Sequence, residues 1–95
     1  MRDGASRMAT WQVIYTKNAL KDIEKVFEAG YKEKLLSLIE LLREDPFVRY
    51  PSYEKLVGDL SGLYSRRINH KHRLVYVIDT EKKVVKIIST WTHYE

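Results

Sequence analysis

Arg66, Arg67, Lys71 and Arg73 fall within eight consecutive residues that contain no acidic side chain. A guanidinium is a planar fork that matches two phosphate oxygens at once, so converging arginines make a phosphate-binding candidate. Three other groups bear chemistry: the carboxylate of Glu54, the imidazole of His93 and the phenol of Tyr94. Together they are the parts of a metal-free ribonuclease. RNA carries its own nucleophile, the 2′-hydroxyl. A protein need only remove that proton, stabilise the extra negative charge on phosphorus and protonate the departing 5′-oxygen. Glu can serve as base, Arg as clamp and His as acid, each acid–base partner being worth ~10²–10⁴-fold. Tyr can stack on a base or orient the phosphate. The competing reading is a solvated surface whose arginines pair with Glu and Asp.

Composition narrows the remaining options. The chain has 95 residues, enough for one core, and no cysteine. It therefore has no thiol nucleophile and no thiolate zinc site. Three histidines remain, His70, His72 and His93. His70 and His72 flank a turn and are expected to face solvent. A metal site from them would need carboxylate help, so neither metal nor cofactor is expected. No apolar run approaches the ~20 residues of a membrane span and no signal peptide is visible, so the chain reads as cytoplasmic. The net charge of +4 is modest, but its placement is informative. Residues 1–47 hold eight basic and eight acidic side chains, and residues 48–95 hold nine against five.

The elements that must position these groups follow from periodicity. Residues 1–9 are polar and without pattern, and are read as a disordered tail or remnant. Residues 10–95 form one domain. Trp11–Tyr15 is β-branched and aromatic, and reads as a strand. Thr16 is the candidate N-cap of a helix carrying Leu20, Ile23, Val26 and Phe27, with Gly30 closing it. A second helix spans Tyr31–Glu44, with Leu35, Leu38, Ile39 and Leu42 as its stripe, widened by Leu36 and Leu41. Asp45-Pro46 ends it. Pro46–Ser61 reads as a loop that holds Leu56 and Leu60 on the core. Strands follow at Leu63–Asn69, Arg73–Asp79 and Val84–Trp91, joined by short antiparallel turns. The expected fold is α+β: a small, antiparallel-rich sheet in the order β-α-α-β-β-β with a helical hairpin on one face. Arg73–Asp79, the most apolar strand, should be central and buried on both faces. Side chains alternate along a strand, so Tyr64, Arg66 and Ile68 share one face. Ser65, Arg67 and Asn69 take the other, where Arg67 can meet Arg73.

The stretch YEKLVGDLSGLYSRRINHKHRLVYVID, residues 53–79, resembles the core of the Txe/YoeB family of toxins from bacterial type II toxin–antitoxin modules, within the RelE-like superfamily. The WTHYE ending resembles that family's terminal aromatic-His-Tyr. The resemblance runs from about Trp11 to Tyr94. It implies a ribosome-dependent endoribonuclease that cleaves mRNA in the ribosomal A site, without a metal or other cofactor, leaving a 2′,3′-cyclic phosphate and a 5′-hydroxyl. It puts the catalytic set on Glu54, Arg73, His93 and Tyr94. It puts phosphate or ribosomal-RNA contacts on Arg67, with Arg66 and Lys71 beside it. Its implied partners are mRNA, the 70S ribosome, a YefM/Axe-like antitoxin that folds on binding, a second copy of the chain, and operator DNA through the antitoxin complex. Two positions depart from the family. A lysine of some relatives is Val57 here, and Glu95 follows the usual His-Tyr end. The alternatives are a non-catalytic ribosome blocker, a co-repressor acting with its antitoxin, or a small α+β domain with no RNA role.

Overall fold

The computed structural model describes residues 11–56 and 62–91. The expectations for residues 1–9, Val57, Leu60, His93, Tyr94 and Glu95 lie outside the described residues.

Strand β1 (Gln12–Tyr15) leads into helix α1 (Lys17–Glu28) and helix α2 (Lys32–Glu44). Strands β2 (Tyr53–Lys55), β3 (Leu63–Arg67), β4 (Arg73–Asp79) and β5 (Val84–Ser89) follow. The five strands form one sheet in the order β1-β5-β4-β3-β2. Its pairs are antiparallel except β1 with β5, which is parallel. The α+β class and the helical face are as the periodicity predicts. The loop expected from Pro46 to Ser61 is corrected in part: Tyr53–Lys55 adds a strand at the sheet edge, with Glu54 opposite Ser65. Three residues are too few to display an alternation that the sequence could announce.

Local chemistry explains the helix ends. Thr16 Oγ1 accepts a hydrogen bond from the Ala19 amide at 3.0 Å, satisfying one unpaired donor of the first turn. The same hydroxyl donates to the Ile88 carbonyl, tying the helix start to β5. At the far end, the Tyr31 amide bonds the Val26 carbonyl and the Gly30 amide bonds that of Phe27. Gly30 has φ +93°, the left-handed conformation this closing motif requires.

One sheet face carries the core. Ala19 and Val26 of α1 and Leu35, Leu38, Ile39 and Leu42 of α2 pack with Leu74, Tyr76, Val85 and Ile87. Leu20 and Leu36 leave the expected stripes and lie about half exposed. The expected burial of β4 on both faces holds for Leu74, Val75 and Tyr76 only. β5 carries a bulge: Tyr76 pairs with Ile87 while Val75 pairs with Ser89, so Ile88 is the extra residue. Such an insertion sharpens the twist and re-aims the chain beyond it.

Candidate active site

The site is assembled on the sheet face opposite the helices. Antiparallel register sets Glu54 of β2 across from Ser65 of β3, and Arg67 of β3 across from Arg73 of β4. Residues two apart on a strand share a face. Ser65 and Arg67 therefore bring Glu54 and Arg73 together, although 19 positions separate them in sequence. Arg73 Nη1 donates to Glu54 Oε1 at 3.2 Å and to Ser65 Oγ at 3.2 Å. Ser65 is buried, Arg73 is 24% exposed and Glu54 is 63% exposed. The cation is thus held at the sheet surface while the carboxylate stays open to solvent. An exposed pair of this kind is worth at most ~1 kcal/mol, so it aligns the two groups more than it stabilises the fold.

Arg67 is exposed and has no hydrogen-bond or ion-pair partner among the described residues. It lines a groove together with Lys34, Ser52 and His70. Lys71 lies exposed in the β3–β4 turn just beyond the Arg67–Arg73 pair. Its amide, and that of His72, bond Asn69 Oδ1 at 2.7 Å, which fixes the turn.

Arg66 is a correction. It is 0% exposed, on the helix side of β3, so its guanidinium is not available to RNA. Nε donates to Tyr76 Oη at 2.9 Å, Nη2 to the carbonyls of Pro46 and Val48, and Nη1 to that of Pro51. The guanidinium also lies 4.9 Å from the centre of the Tyr53 ring. Arg66 therefore staples residues 46–51, the approach to β2, and so supports the strand that carries Glu54. Burial pushes the Tyr76 phenol up to about 12, with Arg66 drawing it partly back. Tyr76 is thus a neutral partner for the buried cation at ordinary pH.

His72 is a second correction. It is half-buried, not solvent-facing, and stacks on Trp91. Sequence reasoning also missed Ser65 as a partner of Arg73. The alternation that groups Ser65 with Arg67 was a usable signal, but the register across to β2 was not legible. No three His, Asp or Glu side chains among the described residues are grouped to hold a metal ion. No helix among them is long and apolar enough to cross a membrane.

With this geometry in hand, similarity to known proteins is informative. Residues 15–94 match the model of the YoeB-like toxin of bacterial type II toxin–antitoxin systems. The chain is similar to Toxin YoeB of Streptomyces coelicolor, 35% identical over 87% of this chain and 99% of that protein. It is 45% identical to Toxin YoeB of Synechocystis over 61% of this chain, which spans 65% of that relative's length. In structure it resembles a YoeB/ParE toxin from Agrobacterium tumefaciens, with a TM-score of 0.79, 29% identity and coverage of 87% and 99% of the two chains. It also resembles the Staphylococcus aureus YoeB-YefM complex, with a TM-score of 0.72, 32% identity and coverage of 88% and 98%. The S. aureus YoeB has been solved as a dimer as well.

Proposed function

This chain belongs to the YoeB-like toxin family of bacterial type II toxin–antitoxin systems, and from that premise we propose that it is a ribosome-dependent endoribonuclease that cuts mRNA in the decoding site. The observation that carries the reading is Arg73, held at the open face between Glu54 and Ser65 with Arg67 opposite.

The chemistry follows from the groups. Glu54 takes the proton of the RNA 2′-hydroxyl, and that oxygen attacks the adjacent phosphorus. Arg73 stabilises the charge that builds on the equatorial phosphate oxygens, where a fixed cation on a partly covered surface acts more strongly than one in water. His93 protonates the 5′-oxygen as the P–O5′ bond breaks. The products are a 2′,3′-cyclic phosphate and a 5′-hydroxyl, and atoms balance with no outside reactant. Tyr94 orients the phosphate or stacks on a base, and Arg67 and Lys71 hold neighbouring phosphates. No metal or cofactor takes part in this scheme. Reaction on the ribosome, in the cytoplasm, accounts for the modest +4 charge, because the ribosome supplies much of the positioning.

The proposed antitoxin is a YefM-like chain whose acidic or amphipathic segment folds over the basic face and covers Arg73. The complex of the S. aureus relative supports that partner, and its dimer supports self-association. Operator DNA is bound only through the complex. The decisive experiment is primer-extension mapping of cuts on translating and naked mRNA, with wild type and His93→Ala. Cuts confined to translating mRNA and absent with His93→Ala are expected. Translation inhibition that survives both His93→Ala and Glu54→Ala undiminished would establish a non-catalytic blocker instead.

A further inference from the structure

Tyr50 is 85% exposed, more than any other large apolar side chain among the described residues. A single exposed aromatic is ordinary on a protein surface. This one stands on a pinned main chain. The buried Arg66 guanidinium takes the carbonyls of Val48 and Pro51, on either side of Tyr50, and that of Pro46. It also lies over the Tyr53 ring, which packs edge-on against Tyr64. The backbone that carries Tyr50 is thus fixed by the core, while the ring is left to solvent.

The surroundings are cationic. Two hollows meet at Ser52. One, of about 280 Å³, is lined by Arg49, Ser52 and Tyr53. The other, of about 470 Å³, is the groove that Lys34 and Arg67 share with Ser52. No acidic side chain among the described residues lines either one. Lys34, Arg49 and Arg67 are exposed, and their side chains have no hydrogen-bond or ion-pair partner among the described residues. Ser52 directly precedes β2, and Tyr50 lies four residues before Glu54. Four residues span at most ~14 Å, so the ring is within reach of a nucleotide neighbouring the one at Glu54 and Arg73.

An aromatic ring in water between unpaired cations suits a chain of phosphates whose bases are free. Each phosphate meets a cation, and every base offers a π-face whatever its identity. Tyrosine has only two side-chain torsions to fix, and its main chain is already held, so stacking costs little ordering.

We propose that Tyr50 is a stacking platform for an unpaired RNA base beside the cleavage site, with Arg49, Lys34 and Arg67 on the flanking phosphates. The base belongs to the mRNA or to the ribosomal RNA, and the test separates the two sources. The proposal rests on the endoribonuclease reading above for where the RNA lies, but it is read as binding, which needs no cleavage.

The test measures the affinity of the full chain for ribosomes programmed with mRNA. The parent chain carries Glu54→Gln, so that the mRNA stays intact. Adding Tyr50→Ala is expected to weaken binding about five- to a hundredfold, the scale of one lost base stack. Tyr50→Phe and Tyr50→Trp keep a π-face and should bind like the parent. Tyr50→Leu keeps apolar bulk without that face and should bind like Tyr50→Ala. All four should melt with the parent, since Tyr50 lies in solvent. Each mRNA nucleotide flanking the cleavage site is then made abasic in turn. An mRNA base is the ligand if one such change weakens the parent and removes the difference between Tyr and Ala. A ribosomal base is the ligand if the difference survives every change.

Equal affinity of Tyr50→Ala and the parent overturns the proposal, as does Tyr50→Leu binding as tightly as tyrosine. Unchanged ribosome affinity with weakened binding of a YefM-like antitoxin also overturns it, and assigns the ring to the protein partner. A wild-type chain that binds these ribosomes but cuts no mRNA sinks the endoribonuclease reading alone. A wild-type chain that cuts, with Tyr50→Ala binding unchanged, sinks the stacking platform alone.

Discussion

Arg66 and Arg67 are neighbours in sequence and work on opposite sides of one sheet. Arg66 is fully buried and holds three backbone carbonyls and the Tyr76 hydroxyl, while Arg67 stands in solvent. Two chemically identical side chains are thus separated into a structural staple and a free cation by the alternation of a β-strand.

That division predicts opposite mutational effects. Arg66→Ala strands several buried acceptors and should cost ~3–5 kcal/mol, on the scale of breaking a buried charged network. Arg67→Ala should change stability by no more than ~0.5 kcal/mol, as surface substitutions do. Urea unfolding of both variants measures this. An Arg66→Ala chain as stable as wild type would refute the staple.

The proposed base and acid predict a loss of rate without a loss of fold. Glu54→Gln keeps the shape of the side chain but cannot accept a proton. It should slow cleavage of ribosome-bound mRNA by ~10²–10⁴-fold, and His93→Ala should do the same. Glu54→Gln should melt within a few degrees of wild type, since Glu54 is exposed. Rates on isolated ribosomal complexes with near-native melting curves would bear this out, and full activity of either variant would not.

Arg73 should behave as a fork, not as a point charge. Arg73→Ala should reduce cleavage by ~10²-fold or more, the scale of removing one preorganised donor. Arg73→Lys should restore only part of it, because an ammonium cannot span two phosphate oxygens. Ser65→Ala removes one of the two contacts that aim Nη1, so a loss of about tenfold or less is expected. Lys and Arg of equal activity at position 73 would rule out bidentate recognition.

Alkaline pH should expose the buried phenol. Burial raises Tyr76 to about 12 from its usual 10.0. Between these values the folded chain keeps a proton that the unfolded chain has lost. The stability tied to the neutral phenol is therefore intact below pH 10 and is lost as pH rises toward 12. By pH 12 the loss should reach roughly 2–3 kcal/mol. Tyr76→Phe should show a flatter decline across that window when urea unfolding is compared pH by pH. Parallel declines in the two proteins would refute the assignment.

Phosphate contacts should register in salt. Ribosome affinity should fall steeply with salt concentration, and removing Arg67 or Lys71 should flatten the logarithmic slope by ~1 each. Arg66→Lys, if folded, should leave the slope unchanged, because that site faces the core. Titrations at several salt concentrations separate these cases.

Much of the fold is local and was therefore legible. The spacing of Ile23, Val26, Leu35, Leu38, Ile39 and Leu42 defines two helices, and Thr16 and Gly30 mark the first one's ends. Alternation over Leu63–Arg67 parts Arg66 from Arg67 and pairs Arg67 with Ser65. Which face the helices cover is not local. Alternation puts Arg67 on the same face as Arg73, the face read as open, and Arg67 is indeed exposed, but the full burial of Arg66 and its partners was not legible. The extra edge strand at Tyr53–Lys55, the parallel β1–β5 pair and the bulge at Ile88 depend likewise on partners far along the chain. The same holds for the Arg73–Glu54 contact and the His72–Trp91 stack, which join residues 19 positions apart in each case. The residue types and their periodicity determined which groups this protein has and which share a strand face. Only the tertiary structure, through register and burial, decided which of them meet.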